Sequence, residues 1–356
     1  MLFKSDVVLA PRAVTVRVVF DPARTLINSL GMLNLTELRS GLGEWINQTV
    51  AAMPPDLRRD NEVAGQLFDV IDFADDPMDF PVLIDRIEAQ DMTEALSRLT
   101  AHIAHVADVD PKVVLESRER YVDIIQGYFA KKGDECDAET VAASYDYMVD
   151  AAKCQQFLVT HLRTMWTSYI EAEWTRVRPV LLDTVSAFDK LDLSDLTPLE
   201  AIQVVTGRDL TNFWKDEDET EELIFIPSTH CGPYVSQWGK NEKNRTYIIY
   251  GARIPEGVES FSTELSLREL LVQFTALADD TRLHILALLT THRELCSQDF
   301  QQMLDLSQSA TSRHLRQLVA CGFLNERRRD LNKYFSLNPR RVQETAASMR
   351  MLLSRK

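Results

Sequence analysis

The chain reads Leu306-Ser307-Gln308-Ser309-Ala310-Thr311-Ser312-Arg313-His314-Leu315 and, past Gly322, reaches Arg327-Arg328-Arg329. Ser307 is a residue type that caps helix N-termini, and Gly322 suits the left-handed position that closes a helix. The spacing between them predicts one helix, with Leu315, Leu318 and Val319 on its core side. Its other side presents Gln308, Ser309, Ser312, Arg313 and Arg316. Upstream, Ser297 can cap a short helix with Phe300, Met303 and Leu304 inward, and Leu306-Ser307 makes the turn between the two. Small polar side chains let a helix approach base edges, and Gln and Arg then offer donors to adenine and guanine in the major groove. An ordinary amphipathic helix with a polar face has the same pattern. On this helix alone the two readings weigh equally.

The next segment separates them. Phe323-Leu324-Asn325-Glu326 and Lys333-Tyr334-Phe335-Ser336-Leu337 read as two strands joined by Arg327-Arg328-Arg329-Asp330-Leu331-Asn332. A hairpin with a basic tip can lie along a phosphate backbone, so Arg327, Arg328, Arg329 and Lys333 are candidate phosphate contacts. Asn338-Pro339 then opens a last helix, with Asn as cap and Pro at the first helical position. Its Val342, Ala346, Met349 and Leu353 form an apolar stripe. On so small a module an unpaired stripe suggests a homodimer seam, although docking on the chain's own first domain would also hide it.

Two helices precede this unit. Leu267, Leu270, Leu271 and Phe274 form the stripe of one, and Leu267, Leu270 and Phe274 join the expected dimer seam. Asp279 caps the other, with Leu283, Leu286, Ala287 and Leu289 expected inside. The run Leu277-Ala278-Asp279-Asp280-Thr281-Arg282-Leu283-His284-Ile285-Leu286-Ala287-Leu288-Leu289 closely resembles the second-helix signature of ArsR/SmtB repressors. Leu306 to Leu315 is similar to the recognition-helix signature of that family. The resemblance covers roughly residues 262–350. It implies a dimeric winged helix that occupies a double-stranded DNA operator and leaves when an effector binds, with Ser307, Thr311 and His314 joining Gln308, Ser309, Ser312, Arg313 and Arg316 on the recognition helix.

The resemblance is incomplete in one respect. Metal-sensing relatives often carry a Cys-x-Cys box in the third-helix region or Asp/His ligands on the last helix. Here the box position reads Glu294-Leu295-Cys296-Ser297-Gln298-Asp299, and the last helix has no histidine. Three or four soft or imidazole ligands cannot be assembled from these residues, and His284, His292 and His314 are not at ligand spacing. No metal and no cofactor is therefore expected.

Charge distribution supports the same placement. The chain of 356 residues has a formal net charge of −15. Residues 262–356 hold 14 basic and 10 acidic side chains, whereas residues 1–261 hold 25 and 44. Within the tail, residues 307–356 carry 11 basic groups against 3 acidic ones. A localised positive surface is the first requirement for gripping phosphates.

The rest reads as an α+β domain, mainly helical with a small sheet, over residues 1–255. Val14, Val16, Val18 and Phe20 alternate as a strand that Asp21-Pro22 closes. Helical spacing follows in Leu38, Leu42, Trp45 and Ile46, and again in Leu96, Leu99, Ile103 and Val106. One later helix carries Val114, Tyr121, Ile125 and Tyr128, and the next Met148, Ala151, Leu158, Leu162, Met165 and Tyr169. Strand character returns at Leu223–Pro227, Tyr234–Trp238 and Thr246–Tyr250, with Lys240–Asn244 as a hairpin turn. The stretch Ile254–Ser260 marks the boundary with the C-terminal domain, 262–356. Val16–Pro22, Ile27–Leu33 and Phe225–Ser228 more loosely resemble a domain of unknown function that precedes winged helices in some long bacterial regulators.

Five scattered cysteines suit reduced thiols. No apolar run approaches the ~18 residues of a membrane span, and the start lacks the apolar core of a signal peptide. A cytoplasmic protein with no membrane partner is expected. Thr229-His230-Cys231-Gly232 is the best trace of an enzyme, but neighbours on a strand point to opposite faces, so His230 would not activate Cys231. A DNA-binding regulator, not an enzyme, is thus the leading reading: a repressor released by a small non-metal effector or a partner acting on its first domain, which could also simply extend the dimer. An enzyme, or a protein-interaction domain, with an appended winged helix is the alternative.

Overall fold

The computed structural model describes residues 14–132, 136–208, 220–238, 244–255, 263–329 and 332–354. It is 64% helical with small sheets, the mainly helical α+β class read from the sequence. Contacts divide the chain into two compact units. One comprises residues 21–37 and 42–178. The other joins residues 1–20, 38–41 and 179–356, so the chain leaves and re-enters each of them.

The first of these units is helical: α1 (Pro22–Leu33), α2 (Glu44–Ala52), α3 (Pro55–Gly65), α4 (Phe80–Ala89), α5 (Met92–Ala107), α6 (Pro111–Val114), α7 (Arg118–Lys132), α8 (Ala138–Met148) and α9 (Ala151–Met165). Aspartates start many of them. Asp21, Asp91, Asp110, Asp137 and Asp150 each accept a hydrogen bond from a backbone N–H of the first turn, groups a helix cannot satisfy itself. Leu26, Ile27, Leu30, Ile46, Leu83, Leu158 and Leu162 are buried in its core. A polar cluster is buried with them: Asn61 Nδ2 donates to Leu30 O at 2.9 Å, and His161 Nε2 lies 3.0 Å from Asn61 Oδ1.

Three sequence expectations need correction here. Leu38 and Leu42 precede α2 and are not helical. Val114 sits in the one-turn α6, apart from Tyr121, Ile125 and Tyr128 on α7. Met148 ends α8, because Asp150 caps a new helix that carries Ala151 to Met165. α9 runs on through a π-helical turn, Trp166–Ile170, into α10 (Glu171–Phe188). Inside α10 stands Pro179, from which contacts assign the rest of the helix to the other unit.

That other unit contains two sheets. The strands β1 (Thr15–Val18), β2 (Glu222–Ser228), β3 (Ser236–Trp238) and β4 (Arg245–Gly251) lie in the order β1-β2-β4-β3. β1 and β2 pair in parallel, with Val16 opposite Leu223, and β2 and β4 also run parallel. β3 closes an antiparallel hairpin on β4. Most of the turn expected at 240–244 lies outside the described residues, as do 256–260 of the boundary stretch. The central strands are buried on both faces, as parallel strands usually are. Leu223, Phe225, Ile248 and Tyr250 pack with Phe188 and with α11 (Pro198–Thr206), while Ile224, Ile226, Tyr247 and Ile249 line the opposite face.

The remaining elements are α12 (Thr263–Leu277), α13 (Asp280–Thr291), β5 (Leu295–Cys296), α14 (Ser297–Leu304), α15 (Gln308–Ala320), β6 (Leu324–Arg329), β7 (Asn332–Leu337) and α16 (Pro339–Ser354). They share one core of Ala276, Ile285, Leu289, Phe300, Leu315, Leu318, Phe323 and Phe335. β5, β7 and β6 form a three-stranded sheet in that order. This is a winged helix-turn-helix. Among the described residues, no helix is long and apolar enough to cross a membrane.

Candidate nucleic-acid interface

α15 is fixed at both ends. Ser307 Oγ accepts from the Ala310 N–H at 3.2 Å, and Gly322, at φ +79°, turns the chain away after Cys321. Inside the helix Leu315, Leu318 and Thr311 are buried. Gln308, Ser309, Ser312 and Arg313 are exposed, as is Ser307 itself. Positions 308, 309, 312 and 313 share one face at 3.6 residues per turn. Together with position 316 they span eight steps of 1.5 Å, about 12 Å, which matches the width of the major groove.

The other three residues of the expected recognition set are placed differently. Thr311 is fully buried, and its hydroxyl donates to Ser307 O at 2.9 Å, within the helix. His314 is buried too, with Nδ1 3.6 Å from Asp279 Oδ1. Burial holds its pKa below the ordinary value despite that carboxylate. Neither side chain is presented to a ligand. Arg316 is half-buried, and its Nη1 donates to Leu38 O at 3.4 Å. Its neighbour Gln317 is buried and hydrogen-bonds the Ser40 hydroxyl, while Tyr234 Oη donates to Ser40 O at 2.9 Å. The segment 38–41 thus packs on the C-terminal half of α15, and its outer N-terminal half is the open part.

The wing is longer and tighter than the sequence suggests. β6 runs to Arg329 and β7 starts at Asn332, with these two residues in register, so the basic run lies on a strand and not in a loop. Asp330 and Leu331 at the tip lie outside the described residues. Arg327, Arg328 and Arg329 are all exposed. Arg327 pairs with Glu294, whose carboxyl it holds below the usual range, and Lys333 Nζ lies 3.1 Å from Glu326 Oε1. Arg328 and Arg329 have no ion-pair partner among the described residues.

Arg282 was not singled out from sequence, yet it joins α13 to α12. It is buried, and its Nε and Nη2 donate to Ala276 O at 2.6 Å and Thr275 O at 2.8 Å. Those are carbonyls at the C-terminal end of α12, which have no acceptor role within their own helix. The signal was available: 282 lies three and seven residues before the core positions Ile285 and Leu289. That phase also corrects α13, because Leu283 and Ala287, expected inside, are exposed. Met303, expected inside α14, is exposed as well, and Cys296, not Ser297, is the residue before the first turn of that helix.

The expected dimer seam divides in the same way. Val342, Ala346, Met349 and Leu353 of α16 are exposed, Leu353 by 73%. On α12, Leu267 is exposed and Phe274 half-buried, but Leu270 is buried within the chain and Leu271 takes its place outside. His230 and Cys231 lie in the turn after β2, not on a strand as expected. Both are buried, and burial pushes the Cys231 thiol up to about 11, so it stays protonated near neutral pH.

Residues 279–326 match the family model of the bacterial regulatory protein arsR family. They carry an ArsR-family helix-turn-helix. The match runs from the cap of α13 through α14 and α15 into the first wing strand, so it contains the exposed row on α15 and Arg282. The arsenic resistance transcriptional regulator ArsR1 of Pseudomonas putida is 41% identical over 76 residues, 20% of this chain and 59% of that protein. The chain therefore spans less than two thirds of that relative's length. Among the described residues, no three His, Cys, Asp or Glu side chains lie together where they could hold a metal ion.

Proposed function

We propose that the protein is a sequence-specific, double-stranded-DNA-binding transcriptional regulator, and that it acts as a homodimeric repressor. The observation that carries this reading is the exposed row Gln308, Ser309, Ser312 and Arg313 on the outer half of α15, beside the exposed wing arginines. Gln308 and Arg313 have the donors to read base edges, while Ser309 and Ser312 let the helix come close. Arg327, Arg328, Arg329 and Lys333 grip the phosphate backbone. The arsR-family match and the regulator name of the Pseudomonas relative support regulation of transcription. The exposed apolar side chains of α12 and α16, Leu267, Leu271, Val342, Met349 and Leu353, are the seam between two copies.

Residues 262–356 are the DNA-binding domain, and residues 1–255 receive the signal, a small non-metal effector. The arsenic in the relative's name is not carried over: Glu294–Asp299 contains a single thiol and α16 no histidine. No catalytic role is assigned to Cys231, which is buried and protonated. The test is binding of the full chain, and of the 262–356 fragment, to DNA from the promoter of its own gene in rising salt. Binding that is tighter than to random duplex and falls steeply with salt is expected. Equal affinity for both duplexes, or no dependence on salt, would refute the reading.

A further inference from the structure

The polar face of α15 does not end at Arg313. Gln308, Ser309, Ser312 and Arg313 are exposed, and Arg316 continues the same face, four residues after Ser312 and three after Arg313. Residues 38–41 pack against that last turn. Arg316 Nη1 donates to Leu38 O at 3.4 Å. The Ser40 hydroxyl donates to Gln317 Oε1, and Tyr234 Oη donates to Ser40 O at 2.9 Å. Arg39 Cζ stands 5.0 Å from the centre of the Tyr234 ring.

Gly41 lets the segment come this close. It has φ +82°, and a Cβ there would stand 2.7 Å from Gln317 Nε2 and 3.6 Å from Pro233 Cδ. Glycine adopts that left-handed conformation without strain, whereas an L side chain resists it. The contact is close but poorly bonded. Gln317 is 1% exposed, yet its Nε2 has no hydrogen-bond partner among the described residues. A buried donor left unmade costs free energy that separation of the two surfaces would return. The bond from Arg316 to Leu38 ends on a neutral carbonyl, and a charged phosphate oxygen is roughly twice as strong an acceptor. In the chain, residues 38–41 sit between α1 and α2 of the helical unit, yet by contacts they belong with the winged helix.

We propose that residues 38–41 are a strap that holds Arg316 off DNA, and that lifting the strap turns Arg316 into a further phosphate contact. The proposal rests on the reading of α15 as the helix that enters the major groove. With the N-terminal members of the row at base edges, the far end of the row, about 12 Å on, comes to the groove wall, where the phosphates stand. Strap and duplex then compete for one side of one helix. While the strap is down, Arg316 is bonded to Leu38 O; once it lifts, the same guanidinium is available to the duplex. Since the strap is tied at both ends to helices of the other unit, a shift of α1 or α2 that favours one of its states changes DNA affinity, and DNA favours that shift by the same factor.

The test uses the full chain and a labelled promoter duplex, with fluorescence anisotropy read at several salt concentrations. Gly41→Ala keeps every charge and forces the segment off Gln317. Tyr234→Phe removes the bond to Ser40 O with little change of shape, a smaller step in the same direction. In a dimer the freed Arg316 adds two phosphate contacts, so the slope of log K against log salt should steepen by up to about 1.8. A fourfold drop in salt should then strengthen binding by Gly41→Ala about 12-fold more than by the parent. Adding Arg316→Gln to either variant should abolish the gain. A far-ultraviolet circular dichroism spectrum like the parent's shows that a variant is folded, and Tyr234→Phe carries the test alone if Gly41→Ala is not. Parental slopes in the folded variants, or a gain that survives Arg316→Gln, would overturn the proposal and leave α15 as the DNA helix. No binding of the duplex by parent or variants would overturn both.

Discussion

Replacing Arg328 and Arg329 by glutamine in the same chain tests whether the wing grips DNA. These two have no ion-pair partner among the described residues, whereas Arg327 is held by Glu294 and Lys333 by Glu326. Each free guanidinium can therefore neutralise a phosphate without first breaking a bond within the protein. In a dimer the double variant removes four such contacts. Each contact contributes a slope of about −0.9 to log K against log salt, so the slope should shrink by roughly 3.6. Across a fourfold rise in salt, the parent should lose roughly 100-fold more affinity than the variant. Fluorescence anisotropy with a labelled promoter duplex, repeated at several salt concentrations, measures both slopes. Arg327→Gln alone should change its slope far less per residue, since Glu294 competes for the same charge. Identical slopes for parent and double variant would refute the assignment of the wing to phosphates, and a change confined to the promoter sequence would mean that it reads bases.

Gln308→Ala should leave the melting temperature unchanged and narrow the affinity gap between promoter and random duplex, measured by competition. Ser307→Ala should cost about 1 kcal/mol in chemical denaturation through loss of the α15 cap; an unchanged midpoint would count against that cap. Leu353→Glu should convert the dimer to monomer in sedimentation while leaving the far-ultraviolet circular dichroism unchanged, whereas an unaltered dimer would place the seam elsewhere. Burial lowers the pKa of His161 from 6.5 to about 4. The unfolded chain therefore takes up a proton that the folded one refuses, and stability is lost as pH falls from 6.5 toward 4, by about 3 kcal/mol in all. His161→Gln should flatten that part of the urea-midpoint profile, and an equally steep profile would show that another group titrates there.

What was legible in the sequence was local chemistry. Ser307, Asp279, Gly322 and Asn338-Pro339 mark helix ends by hydrogen bonds or backbone angles that act within a few residues, and all lie where they were expected. Helix phase was legible only where polar residues mark the outer face. Leu283 to Leu289 is apolar almost all round, so the spacing could not show that Ile285 and Leu289, and not Leu283 and Ala287, face the core. Packing partners choose that phase. On α15 Gln308, Ser309, Ser312 and Arg313 are exposed, as their spacing indicated. Its Thr311, His314 and Arg316 resemble surface residues by type, but they are drawn inward by contacts with Ser307, Asp279 and Leu38, the last far away in sequence. The parallel pairing of β1 with β2 left no local signal.

The pairing of Val16 with Leu223 has a consequence for synthesis. A ribosome adding about 5–20 residues per second needs roughly 10–40 s to travel the interval between the two strands. Throughout that time the first strand is out of the exit tunnel with its hydrogen-bonding edge unmatched, and edges of that kind recruit other chains. The charged Arg17, half-way along it, is the sort of residue that makes such an edge a poor template. Slower translation of the intervening helices would lengthen this exposure, and with it the demand on chaperones, although no contact in the finished molecule would differ.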